Sequence, residues 1–230
     1  MTPSIAHRLA AEFIGTAFLL IAVVGSGIMA ARLADGNMAI ALLANALATG
    51  AALVVLITIL GPLSGAHFNP VVSLYAALTG GMTWRIAFLY VPVQIVAAVI
   101  GVWLTHLMFA MPVLEISSHL RDGPPQWLAE FIATLGLLGT IAGGIRFAPA
   151  STPMLVGLYI TGAYWFTAST SFANPAVTIA RSLTDSFSGI APVSAPGFIA
   201  AQIAATVLVA PCLKWLFDSS GFGRSSPAGE

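Results

Sequence analysis

Charged residues interrupt this chain rarely and unevenly. None falls between Asp35 and Arg85, between Arg85 and Glu115, between Arg146 and Arg181, or between Asp185 and Lys214. A helix crossing the hydrocarbon core of a bilayer needs about 20 mainly apolar residues. On that measure the pattern predicts six spans, near 9–31, 38–60, 86–109, 127–146, 153–171 and 194–216. The stretch from Asp35 to Arg85 is too long for one span and contains a cluster of Gly, Pro and Asn, and the stretch from Arg146 to Arg181 has the same character. Two apolar pieces remain, near 69–79 and 174–184. Each is about half the length needed to cross.

Composition agrees. Of 230 residues, 58% are hydrophobic and only 7% charged, with eight Lys plus Arg balanced by eight Asp plus Glu. Soluble domains carry roughly a quarter charged residues, so a soluble globular protein is excluded. With no basic patch and no net charge, a nucleic-acid partner is excluded too. His7 and Arg8 before an apolar run resemble a signal peptide, but the run from Phe13 to Ala31 is too long for one and Glu12 stands at its start. A retained first helix is expected. Arg8, Arg85, Arg146, Lys214 and Arg224 against Arg32, Arg121 and Arg181 favour both termini in the cytoplasm; the membrane itself is expected to be a bacterial inner membrane. Cys212 is the single cysteine and reads as a packing residue. His7, His106 and His119 have no metal-like spacing, and no metal or cofactor is expected.

The chain repeats itself. Ala11-Glu12-Phe13-Ile14-Gly15-Thr16 returns as Ala129-Glu130-Phe131-Ile132-Ala133-Thr134. Phe68-Asn69-Pro70-Val71-Val72 returns as Ala173-Asn174-Pro175-Ala176-Val177, and Gln94-Ile95-Val96-Ala97-Ala98 as Gln202-Ile203-Ala204-Ala205-Thr206. Residues 1–230 therefore read as one membrane domain, with a first repeat near 8–110, a second near 126–217 and a short polar tail over 218–230. Three spans per half make the second copy enter the membrane from the opposite side. Paired interrupted segments in an inverted repeat mark a transport site near the midplane.

Asn is a strong helix N-cap and Pro suits the first helical position. Asn69-Pro70 and Asn174-Pro175 each predict a helix start, here inside the membrane. Irregular backbone at that depth is tolerated only where protein buries it or where it lines a watery cavity. Residues 63–67 and 167–173 are therefore expected to line a pore. Inversion brings two positive helix ends together at its centre, opposing cations. Each Asn oxygen caps its own helix and leaves an amide for a passing hydroxyl.

These residues resemble the major intrinsic proteins, the aquaporins and glycerol facilitators. Ser64-Gly65-Ala66-His67-Phe68-Asn69-Pro70-Val71 and Asn174-Pro175-Ala176 are similar to the paired signature loops, and Ala11 to Thr16 to the opening helix. The resemblance covers about residues 8–217. It implies an all-α fold of six transmembrane helices and two re-entrant half-helices, a pore in each subunit, and a homotetramer. It implies that Glu12 and Glu130 accept hydrogen bonds from re-entrant backbone, and that His67 lines the cytoplasmic half of the pore. Gln94 and Gln202 are expected as helix-to-helix contacts. Gly15, Gly25, Gly27, Gly136, Gly139 and Gly143 are expected at close helix packing.

The resemblance also places a four-residue filter, counted from the signature Asn residues, at Thr49, Gly162, Ser171 and Val177. The last is usually Arg in the family, and water-selective members place an aromatic and a His at the first two. Here all four are small and uncharged, and Val71 replaces the usual Ala of the first box. Selectivity follows from diameter, lining donors and acceptors, and electrostatic barriers. A wide passive channel for uncharged polar solutes is expected. Wide-filter members carry glycerol, urea and neutral metalloid hydroxides, so uncharged arsenic hydroxides, methylated ones included, are the expected solutes. A water-selective pore is the alternative. A secondary transporter would show coupled flux, yet no ionisable pair stands at the midplane. No His-Glu-x-x-His or Ser/His/Asp arrangement points to an enzyme. Arg181, four residues after Val177, lies about 6 Å farther along the same helix face. It is expected either to supply the missing charge at the pore mouth or to pair with Asp185 or cap helix-end carbonyls.

Overall fold

The computed structural model describes residues 3–217. The expected polar tail over 218–230 lies outside the described residues. Eight helices follow in order: α1 (Ile5–Leu33), α2 (Met38–Ser64), α3 (Pro70–Leu78), α4 (Trp84–Met108), α5 (Pro124–Phe147), α6 (Thr152–Phe166), α7 (Pro175–Arg181) and α8 (Ala195–Phe217). No strand occurs among the described residues.

The helix starts follow local chemistry. The Ser4 hydroxyl accepts from the His7 N–H, and the Asn37 side chain from the N–H groups of Ala39 and Ile40. Helix α2 ends at Gly65, whose φ of 91° is the left-handed geometry glycine adopts without cost and whose N–H donates to the Gly61 carbonyl. Pro70 and Pro175 open α3 and α7 directly after Asn69 and Asn174.

Five helices (α1, α2, α4, α5 and α8) are long and apolar enough to cross a membrane, and the chain is a multi-pass membrane protein. The fifth expected span is corrected. Residues 153–171 do not form one helix, because α6 stops at Phe166 after 15 residues, following a short 3-10 turn at Pro149–Ser151. Fifteen residues rise about 22 Å, less than the roughly 30 Å core. Thr167 caps α6, its N–H donating to the Ala163 carbonyl, and the residues from Ala168 to Ala173 form a non-helical loop. An apolar run alone does not distinguish a helix from a buried loop.

Helix α1 packs on α2 and α4, α5 packs on α8 and α6, and α2 against α6 joins the halves. The short helices dock on the last helix of each repeat: α3 on α4 and α8, α7 on α4 and α8. The outer surface is apolar, with Phe18, Leu47, Phe88, Leu128 and Trp215 exposed, while Glu12, Gln94, Glu130 and Gln202 are completely buried. This inside-out polarity is what lipid as a solvent selects.

Of the expected glycines, Gly136 packs closely against another helix, a Cβ there running into the Tyr159 hydroxyl of α6. The close approaches to helix backbone fall at other glycines: a Cβ on Gly157 would lie 2.6 Å from the Gly50 carbonyl oxygen, and one on Gly101 2.5 Å from the Ala17 carbonyl oxygen. Gly15 makes room for the Phe68 ring, and Gly25, Gly27, Gly139 and Gly143 sit at ordinary contact distance. Glycine in an apolar run does not reveal which way it faces, so composition could not separate these cases.

Gly157→Leu is expected to push α6 off α2 and lower the thermal midpoint in detergent, at a cost of about 1–3 kcal/mol or more. Gly61→Ala, where nothing lies within 4 Å, is the control and is expected to leave the midpoint unchanged or slightly raised.

Candidate pore

Two loops enter the bundle without secondary structure and meet at its centre. In each, backbone donors converge on a buried carboxylate. Glu12 accepts from His67 N (2.9 Å) and Phe68 N (2.7 Å), and also from Ser64 Oγ (2.7 Å) and Gln94 Nε2 (2.8 Å). Glu130 accepts from Phe172 N (2.8 Å), Ala173 N (2.8 Å) and Gln202 Nε2 (2.6 Å). In both loops the two N–H groups are those one and two residues before the Asn. The glutamines continue the symmetry, since Gln94 Nε2 reaches Ser73 Oγ and Gln202 Nε2 reaches Thr178 Oγ1, each at 3.1 Å. Ser73 and Thr178 occupy the same place in their half-helices, four residues after Asn69 and Asn174.

The loop backbones are strained in matched positions. Ala66 and Phe68 have φ of 49° and 50°, and Ser171 and Ala173 have φ of 52° and 46°. Left-handed backbone at a non-glycine residue costs about 1–3 kcal/mol and persists only where surroundings impose it. Here the carboxylates, and the partner loop, impose it.

Asn69 Oδ1 accepts from Val71 N, and Asn174 Oδ1 from Ala176 N and Val177 N. Their amides do not both simply face the lumen. Asn69 Nδ2 donates to the Ala173 carbonyl and Asn174 Nδ2 to the Phe68 carbonyl, each at 2.8 Å. An amide has two N–H donors, so each Asn ties the opposite loop with one and keeps one. Pro70, Pro175 and Ala176 are buried beside them. Val71 is 1% exposed and takes no part in the cavity wall.

A cavity of about 360 Å³ runs past both Asn residues, from Thr79 at the end of α3 to Arg181 at the end of α7. One wall consists of four-residue stripes on the long helices: Thr49, Leu53 and Ile57 on α2, Leu137, Ile141 and Ile145 on α5, and Thr152, Val156, Ile160 and Tyr164 on α6. His67, Asn69, Asn174 and Ser171 line it from the loops, and Val72 and Val177 from equivalent positions three residues after each Asn. His67 Nδ1 lies 3.0 Å from Ser73 Oγ. Of the residues expected to line it, Gly65, Ala66, His67, Ser171 and Phe172 do, whereas Leu63 and Ser64 belong to α2 and Thr167, Ala168, Ser169, Thr170 and Ala173 are not wall residues.

The structure brings Thr49, Ser171 and Val177 to this cavity but not Gly162. The direction a Gly162 side chain would take leads to Phe166 on the same helix. Counting twelve residues back from Asn174 crosses a non-helical segment, which does not carry helical phase. The α6 wall residue near Thr49 is Tyr164, whose hydroxyl donates to Thr49 Oγ1 at 3.3 Å. Its signal was the four-residue stripe from Thr152. One wall residue at this level is thus a large aromatic, not a fourth small residue.

Arg181 is also a wall residue, 2% exposed. Its Nε donates to the Ser188 carbonyl and its guanidinium lies 3.4 Å from the Phe172 ring centroid. It does not pair with Asp185. That carboxylate accepts instead from the Ser118 backbone N–H (2.7 Å) and hydroxyl (2.9 Å), which hold it below its usual range.

A membrane bundle with paired re-entrant half-helices meeting at a shared internal cavity defines a channel-like class of protein. Comparison with known proteins identifies the family. The profile of the major intrinsic protein family matches residues 1–161. The aquaglyceroporin AqpS of Rhizobium meliloti (strain 1021) is 56% identical over 212 residues, covering 92% of this chain and 91% of that protein. Aquaporin NIP1-4 of Oryza sativa subsp. japonica is 32% identical over 137 residues, covering 59% of this chain and 49% of that protein. The solved aquaglyceroporin of Plasmodium falciparum shares the fold at a TM-score of 0.70 with 19% identity, over 94% of this chain and 97% of that one. The chain belongs to the major intrinsic protein family. It is a multi-pass membrane channel for small solutes and not an enzyme.

Glu130→Leu leaves the N–H groups of Phe172 and Ala173 without an acceptor and the Gln202 amide with Thr178 Oγ1 alone. At about 1–3 kcal/mol for each orphaned donor, the variant is expected to lose its thermal transition in detergent. Glu130→Gln, which keeps one acceptor oxygen, is expected to retain a lowered transition.

Proposed function

We propose that this chain is a passive, wide-filter channel of the bacterial inner membrane, with both termini cytoplasmic, working as a homotetramer. Its solutes are uncharged and polar: glycerol-like molecules, arsenous acid and methylated arsenic hydroxides, with some water. The observation that carries this reading is the cavity itself. It joins apolar residues of α2, α5 and α6 with a few donors and acceptors, His67, Asn69, Asn174, Ser171 and Thr49. A polyol or metalloid hydroxide has the matching character, with hydroxyls on one side and an apolar face on the other. The 56% identity to an aquaglyceroporin over nearly the whole chain supports the same class.

Val177 carries the width. An Arg there would project its long side chain into the cavity beside Ser171 and narrow it. Tyr164 offsets part of the width that Thr49 and Ser171 leave, so the bore at this level is set by an aromatic ring against a valine. The free amide N–H groups of Asn69 and Asn174 hand a hydroxyl from one half of the pore to the other.

In proteoliposomes, stopped-flow swelling is expected to show flux of water, glycerol, urea and arsenous acid without saturation and without sensitivity to an uncoupler. Absence of all solute flux would overturn the channel reading, and uncoupler-sensitive flux would establish a secondary transporter. Val177→Arg is expected to cut glycerol and arsenous acid permeability by about tenfold or more, the scale set by a change of filter diameter and barrier, while water flux is retained. Equal loss of both would indicate misfolding and remove support for the filter assignment.

A further inference from the structure

We infer that Arg181, not residue 177, is the specificity-determining cation of this pore, and that its open guanidinium donors form a subsite for the acid oxygen of small oxyacids. The inference deepens the channel reading and rests on it. Arg181 is 2% exposed, and its one protein hydrogen bond among the described residues runs from Nε to the Ser188 carbonyl. No carboxylate lies within 4 Å of it, since the ion pairs among the described residues are those of His106 with Glu115 and His119 with Asp185. The terminal guanidinium nitrogens have no protein acceptor, yet they are not among the sealed-off unpartnered atoms. They belong to a residue of the cavity wall. A buried guanidinium without a counter-ion is expensive unless what fills the cavity hydrogen-bonds to it.

Two open terminal donors in one planar fork fit a solute with a strongly accepting oxo or ionised oxygen, which is the pattern of an oxyacid. A polyol offers no comparably strong acceptor.

The neighbourhood holds Arg181 in place. Phe172 lies under the guanidinium and is fixed by an edge contact with Phe198, ring centroids 5.1 Å apart. Arg121 lies over the same ring at 5.4 Å, with Nε on the Gly189 carbonyl at 2.9 Å. Two cations on one aromatic ring, with no carboxylate in contact, raise the positive potential at this end of the cavity.

The test uses the reconstituted full chain and two solutes, glycerol and acetic acid, at a pH where the acid is about half ionised. The readout is the ratio of acid to glycerol permeability, in which the number of working channels cancels. Arg181→Gln is expected to lower that ratio by about tenfold, the scale of one charge-assisted hydrogen bond, and to admit ammonium or sodium. Arg181→Lys is expected to keep cations out with an intermediate ratio. An unchanged ratio in Arg181→Gln, with glycerol flux measurable, overturns the inference and leaves the channel reading intact. Loss of glycerol flux in the unaltered protein sinks the channel reading instead. A measurement needing no variant decides the case if Arg181→Gln yields no channel. Methanesulfonate, ionised throughout, is expected to slow glycerol flux in the unaltered protein when present on both sides, and tetramethylammonium is not. Equal effects of the two ions overturn the inference.

Discussion

Two carboxylates hold this structure together. Backbone that enters a bilayer without helical hydrogen bonds carries donors that neither lipid nor a neighbouring helix can satisfy. Glu12 and Glu130 take those donors, two backbone N–H groups each, at 2.7–2.9 Å. A buried carboxylate is costly unless its lone pairs are filled. Ser64 and Gln94 complete the first and Gln202 contributes to the second, so each anion is spread over three or four donors. The arrangement is reciprocal: the loop donors need the buried carboxyl oxygens as acceptors, and those oxygens need the loop donors.

That brace makes the two halves interdependent. Asn69 and Asn174 each cap one half-helix and donate to the carbonyl preceding the other Asn. Neither loop therefore has a complete set of hydrogen bonds without its partner. The left-handed residues at Ala66, Phe68, Ser171 and Ala173 are held open by bonds at both ends. A cavity bounded by such loops keeps its shape when emptied and refilled, because its polar atoms are positioned by buried bonds rather than by solute. The remaining amide N–H on each Asn is then a donor of fixed position midway through the pore.

Much of this was legible beforehand. The gaps between charges marked the helices, and the repeated Ala-Glu-Phe-Ile, Asn-Pro and Gln-Ile boxes marked the symmetry, because each box sits where lipid allows no improvisation. What escaped depended on phase and direction. Apolar content ran past Phe166 into the loop, since a buried extended segment and a helix have the same hydrophobicity. Counting from Asn174 through that loop selected Gly162 when Tyr164 faces the cavity. Gly136 apart, the expected glycines do not stand at the tight crossings, because Gly50, Gly101 and Gly157 differ from them only in which helix they face. The stripe at four-residue spacing, Thr152, Val156, Ile160 and Tyr164, marks the cavity face of α6.

The geometry around Val177 and Arg181 suggests why the charge belongs one turn farther along. In the family pattern that the chain resembles, one Arg sets both the diameter of the filter and its repulsion of cations, so the two properties cannot vary separately. Here Val177 and Tyr164 bound the bore, and Arg181 stands about 6 Å away along the helix axis, folded against Phe172 rather than across the lumen. Coulomb energy falls only as the inverse of distance and is strengthened where low-dielectric walls exclude water. Steric exclusion vanishes within an ångström or two. Moving the guanidinium by one turn therefore removes nearly all of its narrowing effect while retaining much of its electrostatic one. A channel can in this way admit larger solutes without becoming a path for cations.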